Sequence, residues 1–173
     1  LIEKYQINMV SSGRDLVIPP MTVIKQPPPA IFAAPLYSPE QIASYKKHIV
    51  NEKSITVAKR SGDLDFAPLP AALKEGEIIY NLLQPKRDSV EYFSLENATE
   101  QAVANLKSPE ILHFSTHGFY QEDVSKDDPT AKGNPLLRSG LALVDANLVN
   151  RGKSKDGLLT ADEILDLNLA GTD

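Results

Sequence analysis

The sequence predicts an α/β fold in three layers around a mainly parallel sheet, on three observations. The run Ala30–Tyr37, "AIFAAPLY", is apolar throughout instead of alternating, the pattern of a strand buried on both faces. Downstream, short β-branched or aromatic segments take turns with helical stripes as far as residue 117. The connections between them are short, and the right-handed crossover rule then lays the helices against a parallel sheet.

The elements follow in order. Tyr5, Ile7 and Met9 alternate with Gln6 and Asn8, which predicts a strand over Tyr5–Val10 with one wet face. Pro19, Pro20 and Pro27 to Pro29 then exclude regular helix and central strand, leaving an extended connector. Ala30–Tyr37 is the central parallel strand. Ser38 as N-cap, Pro39 in the first turn and Gln41 three residues after the cap start a short helix carrying Lys46, Lys47 and His48. From Asn51 to Pro70 no element is assigned, since Ile55 and Val57 alternate weakly and Gly62 breaks the run. Ala72, Gly76, Ile79 and Leu83 form one helical stripe between Pro70 and Pro85, a surface helix packed on the sheet. Ser89–Leu95 reads as a strand, "ATEQAVANLKSP" as a short helix capped by Thr99, and "EILHFSTH" as the next strand, central once a strand missing from these residues pairs along one side. The polar stretch from Tyr120 to Gly133 is a mobile loop. Ser139–Asn147 returns as a strand, a second hydrophilic loop follows, and a helix begins at Thr160. There Thr160 and Glu163 form a capping box, and Leu159 and Ile164 a hydrophobic staple.

Composition bounds the function. The 173 residues suffice for one domain with a real core, and 42% hydrophobic content is ordinary for a globular protein. A net charge of -5 gives no basic footprint for nucleic acid. No apolar run approaches the ~20 residues needed to span a bilayer, so no membrane is expected and the cytoplasm is the default compartment. Zero cysteines exclude a disulfide framework, a cysteine-bound zinc and a cysteine nucleophile within these residues. The chain opens with Leu on a strand-like segment, from which loss of an upstream segment is expected.

The chemistry-bearing stretch is "ILHFSTHGF". His117 stands at the end of a parallel strand, where open α/β sheets carry their reactive groups, and one residue before Gly118. An imidazole there, taken as exposed, can accept a proton from a thiol or hydroxyl and return it to a leaving group. Gly118 lets a substrate carbonyl approach the backbone and accept its N–H, as in an oxyanion hole. In the alternative reading His117 caps the strand and Gly118 merely turns the chain. His113, four residues before His117, lies roughly 13 Å away along a strand that rises about 3.3 Å per residue, so the two share no metal ion; His113 is a packed, hydrogen-bonded residue. Ser115 and Thr116 precede His117 and point elsewhere, and no G-x-S-x-G elbow exists. Asp127 with Asp128 belongs to a solvated loop, and Asp162 with Glu163 to helix capping. No P-loop, G-x-G-x-x-G or calcium-loop spacing occurs, and neither cofactor nor metal is expected.

The blocks "ILHFSTHGFY", "NPLLRSGLALVDAN" and "DGLLTADEILDLNLAGTD" resemble successive blocks of the CHAT domain, a caspase-like domain found beside TPR repeats in bacterial proteins. "LIEKYQINMVSSGRDL" and "FAPLPAALKEGEII" are similar to its earlier blocks. The resemblance implies a partial CHAT domain over residues 1–173: a strand and Pro-rich connector over 1–29, and a caspase-like α/β core over 30–173, ending before the nucleophile strand. It implies a cysteine endopeptidase in which His117 is the general base and Gly118 an oxyanion donor, with the cysteine on a C-terminal segment beyond Asp173, so that this chain is inactive alone. The substrate is then a peptide or protein, its pocket partly built near Pro35–Ser38, and TPR repeats are a partner in the parent protein. The alternative is a non-catalytic caspase-like scaffold that signals through protein contacts.

Overall fold

The computed structural model describes residues 27–48, 65–121, 134–150 and 157–172. The strand expected over Tyr5–Val10, most of the proline connector, the stretch around Gly62, most of the Tyr120–Gly133 loop with Asp127 and Asp128, and the second hydrophilic loop lie outside the described residues.

A parallel sheet holds β1 (Ala30–Ala33) between β2 (Glu91–Ser94) and β3 (Leu112–Ser115). Its register pairs Phe32 with both Phe93 and Phe114, so three phenylalanines stand in one row across the sheet. Their rings stack at centroid distances of 4.7 Å and 5.0 Å. Ala30, Ile31, Phe32 and Ala33 are all fully buried, as the uninterrupted apolar run requires. Even-numbered side chains of β1 join a core with Val103, Leu106, Leu143 and Leu159. The odd-numbered ones face α2 (Pro70–Leu83), which begins with Pro70 in its first turn and buries Ala72 and Gly76. The expected stripe is therefore the packed face.

Contact between α2 and the sheet is closest at Gly76. A Cβ there would lie 2.4 Å from the Ala33 Cβ and 3.0 Å from the Tyr92 ring. On the opposite face stands α3 (Glu100–Ala104), capped by Thr99, whose hydroxyl accepts the Ala102 N–H. The first helix, α1 (Pro39–His48), follows β1, and the Ser38 hydroxyl accepts the Gln41 N–H at 3.4 Å.

Two sequence expectations change. "EILHFSTH" is a strand only as far as Ser115: β1 lies between β2 and β3, and among the described residues no strand pairs with the other side of β3, where the further strand was expected. The ladder stops at Ser115, and the chain re-enters a second, antiparallel sheet as β4 (Gly118–Tyr120), next to β5 (Ser139–Ala142) and β6 (Leu158–Thr160). Nor is Ser139–Asn147 a continuous strand. After Ala142 the chain turns, with Asp145 at φ 68°, and starts the short helix α4 (Ala146–Asn150). Alternation of apolar residues alone does not register a turn made by an aspartate in the left-handed region. The last helix, α5 (Ala161–Leu165), carries the full capping box of Thr160 and Glu163, and Ile164 packs beside Leu159 as the staple requires. Among the described residues no helix is long and apolar enough to cross a membrane.

An exposed helical glycine replaced by alanine gains helix propensity. Gly76→Ala reverses that sign, because the added methyl meets the backbone-fixed Cβ of Ala33. Chemical denaturation should report a loss of about 1–3 kcal/mol; a stability equal to or above the parent's would contradict the close α2–β1 approach.

Candidate functional site

His117 stands in the two-residue junction between the parallel and antiparallel sheets. Three segments hold it there. The first is the exit from β1. Ala34 adopts φ 48°, and the chain then runs buried through Pro35, Leu36 and Tyr37 to Ser38. Pro35–Ser38, expected near a substrate pocket, is thus buried in the interior. The Tyr37 ring lies 5.5 Å from the His117 ring.

Thr116 Oγ1 donates to Ala142 O, so the Tyr37 hydroxyl donates to Thr116 Oγ1, 3.0 Å away. A directed chain results, from Tyr37 through Thr116 to β5. Burial, the largest cause, pushes the Tyr37 pKa up.

The second segment is Asp65–Ala67, just before α2. The Phe66 ring lies 5.5 Å from the imidazole and equally far from the Tyr37 ring, so the three rings form one tilted cluster, and His117 Nε2 lies 2.9 Å from Ala67 O. A carbonyl only accepts, so Nε2 carries the proton. In the neutral ring Nδ1 is then the basic nitrogen, and it has no hydrogen-bond partner among the described residues. This arrangement corrects the exposed strand-end ring expected from sequence: the imidazole is half-buried, with two aromatic rings tilted against it.

The third segment is β4 itself. Ala142 N–H donates to His117 O and Gln121 N–H to Arg138 O, which makes Gly118–Leu141 a non-hydrogen-bonded pair of the antiparallel ladder. The Gly118 N–H therefore points away from β5. Gly118 is exposed and has no positive φ, and a Cβ there would meet only Gly140 O at 3.8 Å. It is an open strand residue and not a turn.

The other candidates fall elsewhere. His113 Nε2 pairs with Glu75 Oε1 at 3.1 Å, and Ser115 Oγ donates to Glu75 Oε2 at 2.9 Å, so both serve the seam between β3 and α2. His113 is hydrogen-bonded as expected but half-buried instead of packed within the sheet. Ser115 and Thr116 are each engaged in hydrogen bonds away from the His117 ring. Asp162 accepts from Asn134, and Glu163 caps α5. No cluster of three metal-ligating side chains occurs among the described residues.

Sequence reasoning gave Tyr37 no role beyond its place near the expected pocket and missed Phe66, whose ring also meets His117, and Asn147, which holds the Phe66 backbone. The only local signal was the proline after Ala67, which holds that residue extended.

Replacing Tyr37 with phenylalanine removes the hydrogen bond to Thr116 and should cost about 0.5–1.5 kcal/mol at neutral pH. Because its folded pKa lies above the ordinary 10.0, Tyr37 contributes stability that is complete below that value and is lost as pH climbs through the folded pKa. Urea titrations across the alkaline range should show this loss in the parent and a flatter curve in Tyr37→Phe; identical curves would rule out a buried phenol.

A family model described as CHAT domain matches residues 1–173. No curated protein and no solved structure matches the chain.

Proposed function

The chain belongs to the CHAT domain family, a caspase-like family, and on that premise we propose that it supplies the base and one oxyanion donor of a cysteine endopeptidase. The thiol comes from outside these 173 residues, which contain no cysteine. The observation that carries this reading is the hydrogen bond from His117 Nε2 to Ala67 O, which leaves Nδ1 as a proton acceptor next to the off-ladder N–H of Gly118.

The steps follow from those two groups. Nδ1 of His117 takes the proton of the thiol, and the sulfur attacks the carbonyl carbon of a peptide bond. Negative charge moves to the carbonyl oxygen, where the Gly118 N–H donates to it. The C–N bond breaks, and the imidazolium returns its proton to the leaving amine. Water, deprotonated by the same ring, then hydrolyses the thioester and restores the thiol. Meanwhile Ala67 O holds the Nε2 proton throughout and stabilises the cationic ring. The proposal takes the fold as a caspase-like three-layer sandwich, supported by α2 and α3 lying on opposite faces of the parallel sheet.

The test is cleavage of a peptide library by the full-length protein carrying this domain, against its His117→Ala and His117→Gln variants. Both should lose cleavage by about 10³-fold or more, the scale of removing a proton-transfer group and its nucleophile activation together. His117→Ala also loses contact with two rings and should cost about 1–3 kcal/mol, so activities are compared well below each variant's melting temperature. Equal cleavage by all three removes His117 from catalysis. Cleavage by none supports a scaffold.

A further inference from the structure

We propose that Asn147 is the positioning residue that fixes the tautomer and orientation of His117. Its side chain is 2% exposed. Oδ1 accepts the Phe66 N–H at 2.7 Å and Nδ2 donates to Phe66 O at 3.0 Å, so one side-chain amide holds both polar groups of one residue, as a neighbouring strand would. The main-chain N–H of Asn147 donates to Tyr37 O at 2.9 Å. One residue thereby ties together the two segments whose rings cluster with the imidazole, neither of which adjoins His117 in sequence.

The geometry passes directly to the ring. Phe66 is held by Asn147 and, through a 2.8 Å bond to its carbonyl, by Gln41 Nε2. Ala67 is next in the chain and precedes Pro68, which confines it to extended backbone. With Phe66 clamped on one side and proline on the other, the Ala67 carbonyl is held toward His117 Nε2. The left-handed Asp145 and the start of α4 aim Asn147 inward. An amide suits the position because it offers a donor and an acceptor together; aspartate keeps only the acceptor.

This inference rests on reading His117 as the base, but its test needs neither thiol nor substrate. In the chain labelled with ¹⁵N and ¹³C, NMR should show the His117 ring proton on Nε2, protected from solvent and coupled through the hydrogen bond to the Ala67 carbonyl. The Phe66 amide and that ring proton should exchange through one common opening. Asn147→Asp and Asn147→Ala should accelerate ring-proton exchange at least about five-fold, the factor carried by one net hydrogen bond, while the His113 ring signals stay in place. Unchanged exchange and coupling in a folded variant would overturn the assignment. So would a ring proton of the wild-type chain that opens independently of the Phe66 amide, a comparison that holds even where neither variant folds. Loss of the endopeptidase reading with the clamp intact is a separate result, seen only in cleavage.

Discussion

Complete burial of β1 is the constraint on which the remaining structure depends. A parallel strand with neighbours on both edges and packed layers on both faces has no solvent to satisfy it, so each residue must be small or apolar and each backbone group must pair. Phe32 shows the cost of a change: its ring is stacked between Phe93 and Phe114, which fixes the register of all three strands at once. On the other face Ala33 must be small because Gly76 of α2 lies against it.

The same burial continues past the strand, and this is how the sheet comes to build a site. Ala34 enters the left-handed region at φ 48°, an unfavourable choice for alanine that persists because its surroundings over-determine it. The turn sends Pro35–Ser38 beneath the junction of the two sheets and puts the Tyr37 ring against that of His117. His117 is thus held at two points: its carbonyl by Ala142 of β5, and its ring by Ala67 O. A ring so held has one nitrogen committed and one available, which is the condition a general base has to meet before any nucleophile arrives.

The contrast between the two histidines follows from the same geometry. His113 belongs to the ladder and meets Glu75 on α2, a partner that is half-exposed and serves Ser115 as well. His117 lies past the ladder's end and meets a main-chain carbonyl beside two aromatic rings. From sequence His117 was taken as the exposed one and His113 as the packed one; half-burial of both removes that distinction, and what separates them is the partner of Nε2.

The amino-acid sequence alone determined the features that depend on neighbours in the chain. The buried run at Ala30, the stripe of α2, the cap at Thr99 and the capping box with its staple at Thr160 are all local patterns of period or hydrogen bonding, and they stand where they were expected. The motif around His117 was legible for the same reason, as a strand end followed by glycine. What the tertiary structure decided is the set of contacts joining residues far apart: Tyr37 with Thr116, Phe66 with Asn147, and Ala67 with His117. It also decided the break between β3 and β4 and the turn at Asp145, where pairing with a distant strand overrides local alternation. No periodicity encodes such contacts. They arise because a buried polar group must find a partner wherever the folded chain brings one within reach.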